Sequence, residues 1–248
     1  MVNGPALVLV AHGTRSTRGV EMIAALAEAV TVELSGTGAG ELVAPVVRTA
    51  FVDVLGPSPA EVLRDLRAGA PERPAVVIPA FLASGYHVYQ DVPREVAESG
   101  HPMVSITPAM GPDPALARVM AMRLHAAGRR RGDAVVLAAA GSSDARARAD
   151  VRRAADMLAD HLDAPVRIAY VATGAPRVPE VVAELRDSGA RRVFIASCLL
   201  AQGLFQQRLH EAGADGVAEP IGVHPAVVRL LADRYRSAAA QSAAVHVR

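Results

Sequence analysis

The chain repeats itself, and the repeat limits what it can fold into. Four landmarks of the first half recur in the same order in the second. Ala134 to Ala139 closes on Ala140-Gly141-Ser-Ser-Asp144, where the first half closes Leu7 to Val10 on Ala11-His12-Gly13-Thr-Arg15-Ser16. Val166-Arg-Ile-Ala-Tyr170 answers Val47-Arg-Thr-Ala-Phe51, and Arg192 to Leu200 with Ala201-Gln-Gly203 answers the Ala75 to Phe81 run with Ala83-Ser-Gly85. Gly222-Val-His-Pro-Ala-Val-Val-Arg229 answers Gly111-Pro-Asp-Pro-Ala-Leu-Ala-Arg118. Ordered matches of this kind indicate an internal duplication. Each half reads as four strands alternating with four helices, which predicts an α/β chain of two similar lobes, each a parallel sheet flanked by helices. The lobes are expected over residues 1–126 and 133–248, joined by a linker over 127–132. At 248 residues, both lobes can bury an ample core.

The two copies differ where an α/β sheet carries function. Leu7 to Ala11 is an unbroken apolar run closed by a turn signal, which reads as a buried parallel strand. The carboxyl end of such a strand is where an open sheet presents groups to a ligand. His12 stands there, with Gly13 allowing a sharp turn and close approach to the backbone. Ala75 to Phe81 repeats the form and leads through Ser84-Gly85-Tyr86 to His87. If the strands lie parallel in one sheet, both imidazoles face one crevice. The second half has Ala140 and Phe205 at these places, and Ala172 where the first has Asp53. Core residues persist while the polar set exists once, so one half is read as active and the other as supporting.

The remaining pattern is ordinary. Helices are predicted from Glu21 to Leu34, from a capping box at Ser58-Pro-Ala-Glu61, from about Val88 to Glu98, and from Pro112 to His125. Net charge is +1, which offers no field for nucleic acid. The single cysteine, Cys198, excludes a disulfide framework and a cysteine-built metal site, and reads as a buried, inert thiol. No run approaches the roughly 18 apolar residues of a bilayer span. No signal-peptide pattern opens the chain, so a cytoplasmic protein is expected. His101, His125, His161, His210, His224 and His246 read as surface or capping groups.

Two imidazoles, with Asp53 as a possible third ligand or base and no thiolate, describe an open metal site and not a closed structural one. Neutral imidazole suits iron, cobalt, nickel and zinc, and titrates near neutral pH.

The motifs Ala11-His-Gly-Thr-Arg15, Phe51-Val-Asp53, Pro79-Ala-Phe-Leu-Ala-Ser-Gly-Tyr-His87 with Asp91-Val-Pro93, and Gly111-Pro-Asp-Pro114 together resemble the sirohydrochlorin chelatases, the class II chelatases of the CbiX and SirB type. The resemblance covers nearly the whole chain, including the two-lobe duplication of the longer members. It implies a lyase-type enzyme that inserts a divalent metal into sirohydrochlorin without ATP, for sirohaem or cobalamin synthesis. Fe²⁺ is slightly favoured, with Co²⁺ next, and the metal is a substrate. No iron–sulfur cysteines are seen. The metal-binding and catalytic histidines of the family carry over onto His12 and His87. The family's acidic residue after the second strand, commonly glutamate, is here the shorter Asp53. A carboxylate-rich macrocycle needs a wide cleft with donors at its rim, which a gap between two lobes would supply. Gly13 and Gly85 would let it approach the backbone. Arg15, Ser84 and Tyr86 would contact its carboxylates or face, with Gln202, Gln206 and Gln207 contributing from the second lobe. Two halves in one chain replace a dimer of single halves, so a monomer is expected, with a dimer as the alternative.

Three other readings remain. A tetrapyrrole or metal carrier on the same fold would use the same histidines without turnover. A histidine phosphatase typically wants arginine before the His-Gly pair, where this chain has Ala11. The third is a chelatase of another tetrapyrrole, such as a nickel enzyme or a protoporphyrin ferrochelatase, although 3% aromatic residues and no tryptophan give little to stack on a hydrophobic porphyrin.

Overall fold

A computed structural model describes residues 4–13, 16–36, 45–53, 56–71 and 73–245, with side chains to residue 242. Its strands form two four-stranded parallel sheets. In the first, β1 (Ala6–His12) pairs on one side with β2 (Val47–Val52) and on the other with β3 (Ala75–Pro79), and β4 (Val104–Ile106) lies outside β3. The second repeats this with β5 (Ala134–Gly141) between β6 (Val166–Thr173) and β7 (Val193–Cys198), and with β8 (Gly216–Val217) outside β7. The expected α/β class with two parallel sheets is what the chain adopts.

The duplication extends to detail. The Phe51 N–H donates to the Pro57 carbonyl at 2.9 Å, and the Tyr170 N–H donates to the Pro176 carbonyl at the same distance. Register places Ala11 opposite Phe51 and Ala139 opposite Tyr170, so His12 does correspond to Ala140 and Asp53 to Ala172.

In both sheets the central strands are predominantly apolar. Leu7, Val8, Leu9 and Val10 are buried, as are Val76, Val77 and Ile78, because parallel strands are covered on both faces. The order β2-β1-β3-β4 has its switch point between β1 and β3, where the connections leave in opposite directions and a crevice opens at the strand carboxyl ends.

The helices follow their caps. α1 (Thr17–Ser35) starts a turn earlier than the apolar spacing suggests, because the Ser16 hydroxyl accepts from the Gly19 N–H. α2 (Pro59–Gly69) opens on the expected capping box, with both bonds between Ser58 and Glu61 in place. The predicted helix from Val88 is two structures: a π-helical turn at His87–Asp91, then α3 (Val92–Ser99). α4 (Pro114–Ala126) begins two residues later than expected, capped by Asp113. The second half continues with α5 (Ala145–Leu162), α6 (Val178–Asp187), α7 (Leu204–His210) and α8 (Pro225–Val245).

Packing sorts these elements into two compact units. One comprises Met1–Phe81, Tyr86–Met110 and Pro225–Arg248, and the other Leu82–Gly85 and Gly111–His224. The final helix of each sequence repeat therefore packs in the unit of the other. α8 belongs with the first sheet, where the Tyr235 hydroxyl donates to the Pro5 carbonyl at 2.7 Å. α4 belongs with the second, burying Leu116, Ala117, Val119, Met120, Ala121 and Leu124. A helix apolar on nearly all sides needs cover on more than one face. The segment 127–132 accordingly lies within the second unit, with Gly128 and Gly132 turning it at positive φ.

Candidate active site

In the first unit, His12 is the last residue of β1, and His87 opens the π-helical turn that comes after β3. The two residues thus flank the switch point of their sheet. Their ring centroids are 5.0 Å apart at an interplanar angle of 82°. A first-row ion sits roughly 2.0–2.1 Å from an imidazole nitrogen, so rings at this separation are within reach of one ion bound by both.

The outer partners of the rings settle which nitrogen is available. His12 Nδ1 lies 2.8 Å from the Gly13 carbonyl oxygen, and His87 Nδ1 lies 2.6 Å from Asp91 Oδ2. A carbonyl and a carboxylate accept and do not donate, so in the neutral rings Nδ1 carries the proton on both. Each Nε2 keeps its lone pair, the form in which imidazole binds metal or takes a proton.

Asp53 lies just past β2 and stands at φ +66°, in the left-handed region that few residues other than glycine adopt and that Asp tolerates better than most. Its carboxylate lies 3.9 Å from His12 Nε2. Backbone strain of this kind is characteristic of sites where a side chain must be aimed. Among the described residues, no group of three or more His, Cys, Asp or Glu is placed to hold a metal ion. The donor set of this unit is therefore a pair of imidazoles with a carboxylate beside one of them. It is also accessible, the His12 side chain being 50% exposed. The Phe81 ring stacks on His87 at 6.1 Å and 22°, and Tyr86, 58% exposed, meets its edge at 6.2 Å.

The other expected site residues are distributed. Gly13 is buried, and its N–H extends the β1–β2 ladder to the Val52 carbonyl. Ser84 and Gly85 pack in the second unit. There the Ser84 N–H donates to Asp150 Oδ2 at 2.7 Å, and a Cβ on Gly85 would come within 3.2 Å of the Ala147 methyl. Arg15 lies outside the described residues. Gln206 is not at a rim: it is 1% exposed, accepts from the Ser197 hydroxyl and donates to the Ala218 carbonyl. Gln202 donates to Glu219. His101, expected at the surface or as a cap, is buried, with Nδ1 accepting from the Met103 N–H. Cys198 is buried as expected, and burial pushes its thiol up to about 12.

Sequence reasoning missed two structural carboxylates. Asp91 stands out in the sequence only as part of a motif, although its i,i+4 spacing from His87 is a usable signal. Asp150 is 4% exposed on α5, and nothing in its local sequence marks it as the anchor of the segment containing Ser84.

Comparison with known proteins adds a separate line. The CbiX family matches residues 6–127 and 134–238, nearly all of the chain. The chain belongs to the CbiX family. Its fold is that of SirB from Bacillus subtilis with Fe³⁺, at a TM-score of 0.81 and 24% identity, with 97% of this chain and 98% of that one covered. The sirohydrochlorin chelatase SirB from Bacillus subtilis subspecies spizizenii, in complex with cobalt, is similar at a TM-score of 0.73 and 22% identity, with 96% of each chain covered. A CbiX described as the terminal enzyme for biosynthesis of siroheme in denitrifying bacteria is similar at 0.67 and 24% identity, over 94% of this chain and 99% of that one. No curated protein matches by sequence. In this CbiX-family chain no helix of the described residues is long and apolar enough to cross a membrane.

Proposed function

We propose that this protein is a sirohydrochlorin chelatase, inserting a divalent metal into the macrocycle without ATP. The observation that carries the reading is the pair of imidazoles 5.0 Å apart at one switch point, each with its Nε2 lone pair available. Metallation strips water from the ion and removes two pyrrole protons, and this pair can do both. His12 and His87 receive the metal from solvent. Having only two protein nitrogens to release, the ion passes readily to the four nitrogens of the ring. As the ion leaves, each freed Nε2 takes one of the two pyrrole protons, with the Asp53 carboxylate 3.9 Å from His12 and the Asp91 carboxylate 2.6 Å from His87 balancing the charges. Tyr86 offers an exposed ring to the face of the macrocycle. Gly13, Ser84, Gly85 and Arg15 are assigned to the approach and carboxylates of the substrate.

Fe²⁺ and Co²⁺ are the metals proposed, with iron slightly ahead. Both accept imidazole, and selection between such ions rests largely on supply. The SirB structures that hold Fe³⁺ and cobalt are consistent with either. The test is anaerobic metallation of sirohydrochlorin, monitored by absorbance, with Fe²⁺ and Co²⁺ in parallel. Rates well above the spontaneous reaction, lost in His12→Ala and in His87→Ala, are expected. Tight binding of the tetrapyrrole without acceleration would make the protein a carrier.

A further inference from the structure

The turn that carries His87 is built unlike its repeat copy, and the difference concerns one carboxylate. Over His87–Asp91 the backbone is π-helical, with the Val92 N–H bonded to the His87 carbonyl five residues back. The matching stretch of the second half, α7, is an ordinary α-helix. A π turn inside a helix adds one residue to the turn and rotates every later side chain about the helix axis. The burial pattern shows that shift. Counting from the histidine position, the i+4 residue of the second half is Leu209, fully buried in the core. In the first half the fully buried residue is Val92, one position later, and i+4 is Asp91, whose side chain keeps 13% exposure. The extra residue takes Asp91 out of the core position, and its carboxylate there meets His87 Nδ1 at 2.6 Å.

Asp91 is then held on both oxygens. Oδ2 accepts from His87 Nδ1 at 2.6 Å, and Oδ1 lies 2.9 Å from the Arg94 guanidinium, itself 3.7 Å from Glu98. We propose that Asp91, clamped by Arg94 and placed by the π turn, is a positioning residue that fixes the tautomer and orientation of His87 so that Nε2 meets the incoming metal. The proposal rests on the chelatase reading for the reaction, but its core concerns metal capture by His87 alone. Carboxylates behind metal-binding histidines fix the ring and raise its basicity, and their loss typically weakens metal affinity or activity roughly 10- to 100-fold. His12 has a backbone carbonyl in the same role, so the two rings are set by independent devices and only one can be removed by substitution.

The experiment compares wild type with Asp91→Ala and Asp91→Asn. Two-bond ¹H–¹⁵N correlation at a pH where the rings are neutral, with His87 assigned through His87→Gln, reads the tautomer. Equilibrium titration with Co²⁺ reads metal affinity, and steady-state metallation reads the KM for each substrate. His87 is expected as Nδ1–H in wild type and shifted to Nε2–H in Asp91→Ala. Co²⁺ affinity should fall about 10- to 100-fold, with a matching rise in the KM for metal and an unchanged KM for sirohydrochlorin. Asp91→Asn keeps an acceptor without the charge and should fall between; it decides the matter if the alanine variant does not fold. An unshifted tautomer with Co²⁺ affinity within about threefold of wild type would overturn the proposal, that range lying well below the expected loss. Wild type that binds Co²⁺ through His87 but does not metallate sirohydrochlorin would sink the chelatase reading and leave this one standing.

Discussion

If His12 and His87 act on one ion, their contributions should not add, and a double-mutant cycle measures this directly. Positioned acid–base groups commonly contribute about 100- to 10,000-fold, so each single alanine variant should lose on the order of 3–5 kcal/mol of transition-state stabilisation. Independent groups would lose twice that together. Rings 5.0 Å apart that share one ion would lose little more as a pair than singly, because the first truncation already abolishes the chelate. The structure makes this a clean cycle. His12 is half-exposed and the His87 side chain is 34% exposed, so truncation opens no core cavity. Asp91 keeps Arg94 when His87 is removed, so no carboxylate is orphaned. Stability should then change by no more than about 0.5 kcal/mol, or about 1–2 °C in Tm. Circular dichroism is the probe, since the chain lacks tryptophan. Anaerobic metallation rates for wild type, both singles and the double supply the cycle. Additive losses, each single variant retaining activity that the double loses in proportion, would refute the shared-ion reasoning.

Two further expectations test the scaffold. In the second unit a Cβ on Gly111 would overlap the Leu82 carbonyl oxygen and sit 2.9 Å from its carbon, against backbone that cannot swing aside. Gly111→Ala should cost about 1–3 kcal/mol in urea unfolding. Gly69→Ala, with nothing within 4 Å, should be neutral or stabilise by up to about 1 kcal/mol; equal effects would contradict the packing account. Burial lowers the pKa of His101 below its ordinary 6.5, the charge of Arg67 adds to this, and a backbone hydrogen bond with Arg73 opposes it. The unfolded chain then binds the proton more readily, so this contribution to stability is intact above pH 6.5 and is lost as pH falls toward the lowered native value. Tm should drop more between pH 8 and pH 5.5 in wild type than in His101→Gln.

Most of the fold was legible because its signals are periodic and local. Apolar runs closed by glycine mark buried parallel strands, and the ordered landmarks of the repeat carry the topology from one half to the other. The imidazole pair was legible for a related reason: the second copy serves as an internal control, showing Ala140 and Phe205 where the first has His12 and His87. The helix exchange between α4 and α8 was not, because a repeat boundary in sequence says nothing of which sheet the last helix of a repeat will cover. Gln206 misled because a glutamine beside a strand end reads as a rim donor until its partners, Ser197 and the Ala218 carbonyl, are visible. Asp91 was legible as an i,i+4 neighbour of His87, but its escape from the core was not, since the register of the second half gives that position to buried Leu209.

The same register decides what a polar pair rebuilt in the second half would meet. Without the extra residue, the place four positions after Phe205 is Leu209, fully buried among Val193, Ile195 and Val181. A carboxylate there would lie in the core, with Ala212 three residues on where Asp91 has Arg94, so a histidine at 205 would have no such clamped partner. Rebuilding the polar pair as Phe205→His with Leu209→Asp should therefore fail through stability before chemistry. Removing the leucine alone forfeits about 2–5 kcal/mol of packing, and burying an unpaired acid adds to it. The double variant should lose more than about 4 kcal/mol in urea unfolding, with most of the loss present in Leu209→Asp alone. If Leu209→Asp is instead as stable as wild type to within about 1 kcal/mol, a threshold set by the few-kcal/mol cost of a lost core leucine, the register argument is wrong. Asp91 would then owe its place to something other than the π turn.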